Sequence, residues 1–290
     1  MRRSAGRRMT VQDDAGPGQR FRSRRSVSWC PPDAVAVCQR VSLAGTRLGT
    51  DVTGPYWVFA VVTIEEGAIR YLGDGGEIAP PGRCFALFIP PWSIVQARLV
   101  SCRASTLAFA SAAPLPTSAP ASPVAWAWKG RVKPGGMAGV ESALRAASGQ
   151  VDLPRALAPS PGAERAKRLI EETFRETQTL AATAARLRTS PAALSRSFKK
   201  AYGMPPVEYR HRLRVVDAVF RLAAGNSILQ VAGDVGFGEA SSFYRRFRSL
   251  LCASPGTHAA RRSRNAKTRA ALAGDTAGRG RGGNRRTSRT

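Results

Sequence analysis

Residues 190–218 read SPAALSRSFKKAYGMPPVEYRHRLRVVDA, and residues 227–255 read SILQVAGDVGFGEASSFYRRFRSLLCASP. In the first stretch Leu194, Phe198 and Tyr202 recur at helical spacing. Ser190 is a helix cap, Pro191 suits a first helical position, and Gly203 is a stop signal. Just upstream, Leu180, Ala184 and Leu187 form a shorter apolar stripe that ends at Arg188-Thr189. Two short helices joined by a tight turn are predicted, which is a helix-turn-helix pattern. The second stretch repeats the plan, with Ile228, Val231, Ala232 and Val235, then a turn at Gly236-Phe237-Gly238, then a helix from Glu239 to Leu251 carrying Phe243, Phe247 and Leu250. Between the units a helix from about Val207 to Ala224 puts Tyr209, Leu213, Val216, Phe220 and Ala223 on one side and leaves Arg210, Arg212, Arg214 and Arg221 off it. Ala166, Leu169, Ile170 and Phe174 mark one more helix ahead of them.

The second helix of such a unit enters the DNA major groove and presents its outward residues to base edges and phosphates. In the first unit the side away from Leu194 and Phe198 offers Ala192, Ser195, Arg196, Lys199 and Lys200. In the second, the side away from Phe243 and Phe247 offers Ala240, Ser241, Tyr244, Arg245 and Arg248. Both faces are basic and neither is acidic. Arg196 and Arg245 are the foremost candidates for base reading, because a guanidinium pairs bidentately with guanine; the alternative role for each is a phosphate clamp. A connecting helix of about 18 residues spans ~27 Å at ~1.5 Å per residue, which brings the two reading helices near the ~34 Å of one DNA turn. The plainer alternative is a pair of packed helical hairpins with solvated arginines outside.

The 290 residues carry 45 basic and 19 acidic side chains, a net charge of +26, so polyanions are the expected partners. The charge is uneven: eight basic against two acidic side chains in residues 1–25, 16 against eight in 160–259, and ten against one in 260–290. Arginine greatly outnumbers lysine, so the basic ends read either as nonspecific nucleic-acid affinity or as compositional bias. The expected organisation is a basic disordered arm (1–27), a β-rich sensing or dimerisation domain (28–110), an Ala/Pro/Ser-rich linker (111–159) with one helix near Ala138–Ala147, a DNA-binding domain (160–259) and an Arg/Gly-rich disordered tail (260–290).

The two quoted stretches resemble the tandem helix-turn-helix domain of the AraC/XylS transcription regulators over about residues 163 to 258. Ser190, Leu194, Arg196, Phe198, Lys199, Gly203, Tyr209, Arg214, Ala218, Ile228, Ala232, Gly236, Phe237, Ser241, Phe243, Arg245, Phe247 and Pro255 fall in register with that pattern. The resemblance implies a sequence-specific regulator of bacterial type, located in the cytoplasm at the nucleoid. Its implied partners are double-stranded promoter or operator DNA, RNA polymerase, a small-molecule effector and a second copy of the chain. The chain departs from the pattern at Cys252, where the family usually has glycine, at Arg188, where it often has glycine, at Gly233 inside a short helix, and at His258-Ala259, which replace the usual Tyr-Arg after Pro255.

Residues 28–110 alternate short β-branched and aromatic runs with turn residues. The runs are Tyr56–Ile64, Ala68–Leu72, Phe85–Ile89, Ile94–Val100 and Thr106–Phe109, and GDGGE at residues 73–77 supplies turn chemistry. Evenly spaced short strands suggest a small barrel or sandwich. The stretch GEIAPPGRCFALFIPPWSIVQ, residues 76–96, resembles the cupin-like domain that many AraC-type proteins carry. The fold class expected is therefore multidomain, with an N-terminal small β-barrel or cupin-like domain and a C-terminal all-α tandem helix-turn-helix domain. Tyr56, Trp57, Phe88 and Trp92 are candidates for the lining of an apolar ligand pocket, the alternative being plain core. Cys84 and Cys102 are candidate redox sensors, or buried and inert.

Enzymatic and metal-dependent readings find little support. The only histidines are His211 and His258, both in the helical half, so a cupin metal site has no imidazole ligands and no metal or cofactor is expected. Five cysteines without a C-x-x-C pair give neither a zinc site nor a disulfide framework, and they exclude the four-cysteine cluster of an AraC-like repair alkyltransferase. No stretch reaches the roughly 18–20 apolar residues of a membrane span. The competing function is nonspecific nucleic-acid binding driven by the Arg-rich ends.

Overall fold

Two long strands organise the N-terminal half, β5 (Trp57–Gly73) and β8 (Ile94–Ser111), which pair antiparallel along most of their length. This is seen in a computed structural model that describes residues 11–12, 20–30, 34–73, 75–130, 137–153, 159–251 and 253–256. Strict alternation cannot keep one face of so long a strand inside a small core. Both strands therefore switch parity near the middle. In β5 the core-facing residues are Ala60, Val62 and Ile64 before a bulge at Glu66, and Ile69 and Tyr71 after it. In β8 they are Val95, with Ala97 and Leu99 packed beside it, and then Cys102 and Ala104. The switch runs through Gly67 (φ +71) and Ser101 (φ 40), and a Cβ on Gly67 would stand 2.1 Å from the Ser101 carbonyl oxygen.

The remaining strands extend this pair in one antiparallel sheet. Labelled in chain order they are β1 (Val11–Gln12), β2 (Arg20–Cys30), β3 (Ala34–Ala44), β4 (Thr46–Val52), β6 (Gly76–Ile78), β7 (Cys84–Ile89), β9 (Val124–Ala127) and β10 (Val151–Asp152). The order is β1-β2-β3-β8-β5-β7-β9-β10, with β4 also on β8 and β6 on β5. The second face of the sheet is equally apolar. Trp57, Phe59, Phe88 and Trp126 pack there against Val140, Ala143 and Leu144 of helix α1 (Met137–Arg145).

Two expectations about boundaries change. The described strands start at Val11, inside the segment read as a basic arm, because β1 pairs with β2 and β2 pairs residue for residue with β3. The segment 111–159 is not a spacer throughout: β9, α1 and β10 belong to the sheet domain, and Val124 and Trp126 are in its core. Alanine, proline and serine mask this, since the buried anchors are few and widely spaced. The 260–290 tail lies outside the described residues.

Among the described residues the C-terminal half holds six helices: α2 (Pro161–Thr173), α3 (Leu180–Arg186), α4 (Pro191–Tyr202), α5 (Pro206–Ala223), α6 (Ile228–Asp234) and α7 (Ala240–Leu251). They enclose two cores that share α5. Tyr209 and Leu213 join Ile170, Leu194 and Phe198 in one; Val215, Ala218 and Leu222 join Val231, Phe243 and Phe247 in the other. Replacing Gly67 by alanine removes the parity switch's left-handed residue and drives a methyl into the Ser101 carbonyl; unfolding by denaturant should show a loss of at least ~2 kcal/mol.

Candidate nucleic-acid interface

Each helix-turn-helix unit is closed by the same device. Helix α3 ends with the Arg188 N–H on the Ala185 carbonyl (3.0 Å) and the Thr189 N–H on the Ala184 carbonyl (3.0 Å). Helix α6 ends with the Gly236 N–H on Gly233 (2.8 Å) and the Phe237 N–H on Ala232 (2.9 Å). Both are Schellman caps, which reverse the chain within two residues and satisfy terminal carbonyls. The helix that follows in the first unit starts at Ser190, whose hydroxyl accepts from the Ala193 N–H at 3.2 Å.

The turns set the second helix of each unit with its apolar side inward. Leu194 and Phe198 of α4 are buried, and Ala192, Arg196, Lys199 and Lys200 are exposed, with Ser195 half-buried. On α7 Phe243 and Phe247 are buried, Ser241, Tyr244, Arg245 and Arg248 are exposed, and Ala240 is half-buried. Arg245 donates to the Ser242 hydroxyl at 3.3 Å, and the Ser241 hydroxyl donates to Glu239 at 3.2 Å. All the side chains predicted for the two reading faces thus lie on helix surfaces that the cores leave open. Their burial pattern follows from the i, i+4 spacing of the buried apolar pairs, Leu194 with Phe198 and Phe243 with Phe247.

Helix α5, which carries both units, differs from expectation. Arg210 and Arg214, read as lying off the apolar side, are only 6% and 7% exposed, and Asp217 is 2% exposed. The reason is that α5 has neighbours on every side. Arg214 donates from Nε to the Phe174 carbonyl (2.5 Å) and from Nη2 to the Glu176 carbonyl (2.8 Å), and its guanidinium lies 5.5 Å from the centre of the Phe237 ring. Arg210 donates to the Gln178 carbonyl and to the Thr183 hydroxyl (3.0 Å). Burial pushes the Arg214 guanidinium down to about 10, helped by Arg210, yet it stays charged at neutral pH. The arginines thereby tie the α2–α3 connection, α5 and the turn of the second unit into one frame.

Asp217 extends that frame to the sheet domain. It accepts from the Tyr56 hydroxyl (2.8 Å), Arg175 Nε (2.8 Å) and Arg221 Nε (3.0 Å), and Arg221 also meets Asp234 of α6 at 3.5 Å. Burial alone would raise the Asp217 carboxyl; the hydrogen bonds from Arg175 and Tyr56 outweigh it and hold the carboxyl below the usual range. The Tyr56 ring stacks on Phe220 at 3.5 Å between centroids. Further contacts along the seam join Gln96 Nε2 to the Tyr202 carbonyl (2.9 Å), Lys167 to the Trp92 carbonyl (2.8 Å) and Arg212 to the Thr50 carbonyl (2.5 Å).

The four aromatics expected to line one pocket therefore do not converge. Trp57 and Phe88 are core beneath α1, whereas Tyr56 and Trp92 face the helical domain, Trp92 with its ring 6.4 Å from that of Phe174. Cys102 is buried and its thiol is pushed up by burial, which makes it inert; Cys84 is half-buried beside the Thr63 hydroxyl. Among the described residues no three of His, Cys, Asp or Glu gather as a metal site, and no helix is long and apolar enough to cross a membrane.

Two helix-turn-helix units with open basic faces, carried on one buried helix, define a DNA-binding protein. Residues 183–261 match the family described as "Helix-turn-helix domain". Among solved structures, the C-terminal domain of AraT, a response regulator from Geobacillus stearothermophilus, is 27% identical over 36% of this chain and 88% of that one, with a TM-score of 0.35. The DNA-binding domain of AdpA in complex with a target DNA is 28% identical over 36% and 96%, with a TM-score of 0.34. ToxT from Vibrio cholerae is 13% identical over 74% and 97%, with a TM-score of 0.37. No curated protein matches the chain. Residues 183–261 thus form a helix-turn-helix domain.

Two tests address the frame. Asp217→Ala leaves the buried Tyr56 hydroxyl without its acceptor and takes a partner from Arg175 and Arg221, and should lower stability by ~1–3 kcal/mol in chemical denaturation. His211, stacked on Phe237, is pushed down to about 4 by burial and by Arg246 and Arg214. The unfolded chain then binds a proton that the folded one refuses between about pH 6.5 and pH 4, so stability falls as pH drops through that window. Melting curves of His211→Phe should be flatter than the wild type's across it.

Proposed function

We propose that the protein is a sequence-specific transcription regulator that reads two successive major grooves with α4 and α7, and that its sheet domain controls this reading through the Tyr56–Asp217 seam. The observation that carries the proposal is the 18-residue helix α5, ~27 Å long, buried between both cores and fixed by internal charge pairs. A rigid spacer near one DNA turn favours simultaneous reading over independent contacts. Arg196 and Arg245 are the base readers; Lys199, Lys200 and Arg248 hold phosphates, and Ala192, Ser195, Ala240, Ser241 and Tyr244 complete the contact faces. RNA polymerase is the downstream partner, in the cytoplasm. An effector or a second copy acts on the sheet domain, where Tyr56 and Trp92 at the seam are better placed than Trp57 and Phe88 to relay it. The reading involves no chemical step.

The competing reading, nonspecific binding through the Arg-rich ends, is separated by salt. Footprinting at ~150–200 mM salt should give a discrete protected site of about two helical turns, whereas tail-driven binding gives salt-labile smears. On that site Arg196→Ala should cost ~1–3 kcal/mol and relax base preference at one position. A loss that is uniform across sequences makes Arg196 a phosphate clamp and removes it from the base readers.

A further inference from the structure

We infer that Arg188 is a DNA-backbone contact, a phosphate-binding residue set in the turn of the first helix-turn-helix unit. The inference rests on the DNA-binding reading above and adds a residue outside both recognition faces.

Arg188 occupies the left-handed position of the α3 Schellman cap, with φ 53. Any residue with a Cβ is disfavoured there, and glycine is the usual occupant. The second unit obeys the rule with Gly236, φ +92, where a Cβ would stand 2.2 Å from the Arg175 carbonyl oxygen. Packing therefore dictates glycine at 236. At 188 the side chain is exposed, so the first unit holds a strained arginine without a buried contact to offset the strain. Strain held at an exposed site points to a function outside the fold.

Position and charge indicate which function. Arg188 lies two residues before Ser190, the cap of the reading helix, so its Cα is at most roughly 7 Å from the start of α4. A helix seated in a major groove roughly 12 Å wide has a phosphate backbone on either side, within the span of an extended arginine on that turn. Arg186, exposed in the last turn of α3, adds a second positive charge beside it. No acidic residue lies between Arg186 and Arg196, so nothing in the local sequence neutralises the pair.

The test uses the full-length protein and a duplex selected by it from random sequence, with affinity measured between about 50 and 200 mM salt. Arg188→Gly should melt higher than wild type by a few degrees, because the strain is relieved, yet bind several-fold more weakly. Its slope of log affinity against log salt should be shallower by about 0.9, the loss of one phosphate contact. Arg188→Gln should show the same binding defect without the gain in Tm, and Arg188→Lys should keep the wild-type slope. Wild-type affinity and slope in Arg188→Gly and Arg188→Gln overturn the inference, as does a lower Tm in Arg188→Gly, which would mean that the side chain serves the fold. Failure of the wild-type protein to select or bind any duplex refutes the DNA-binding reading instead.

Discussion

A charged side chain inside a protein must be paired, and α5 holds three of them, Arg210, Arg214 and Asp217, in a row at i, i+4 and i+7. That constraint sets the helical domain. The α2–α3 connection must lie where its carbonyls meet both guanidiniums, the second unit's turn must bring Phe237 over Arg214, and Arg175 and Arg221 must close on Asp217. Removing one partner strands the others, so alternative orientations of the two units are heavily penalised. Such a cluster contributes uniqueness of arrangement more than net stability.

The sheet domain is built to reach this cluster. Its long strands bend at Gly67 and Ser101, which wraps β5 and β8 around one core and leaves the β4–β5 connection, with Gly54 and Tyr56, against α5. A Cβ on Gly54 would stand 3.5 Å from Leu213, so the connection lies within van der Waals reach of α5. Through Tyr56 the same carboxylate answers to the sheet, to the α2–α3 connection and, by way of Arg221 and Asp234, to the second unit.

The helical half was legible because its signals are local. Ser190 and Pro191 start α4, Gly203 ends it, and Leu194 with Phe198 decides which side is buried, so the outward faces follow without tertiary information. Arg210, Arg214 and Asp217 were missed as frame residues because a charged side chain on an amphipathic helix ordinarily faces water. Their shared spacing along one side was the available signal. The sheet domain was less legible. Trp57 and Phe88 look alike as pocket lining and as core, and only the packing of α1 over them decides. Residues 111–159 resemble a linker in composition, while their few apolar anchors, Val124, Trp126, Val140 and Leu144, act at long range. Arg188, a plain departure from glycine in the sequence, acquires meaning from its backbone conformation.

The central claim is that α5 is a rigid spacer that makes the two units read DNA together. It is tested most directly by moving the half-sites apart: in a duplex selected by the protein, five or ten base pairs are inserted between the two protected segments, and affinity is measured for each. With half-sites about 10 base pairs apart and a fixed spacer, both insertions should reduce binding to that of one unit, including the ten-base-pair insertion that restores helical phase. Recovery of full affinity with the ten-base-pair insertion would contradict the account, since it would require the two units to separate.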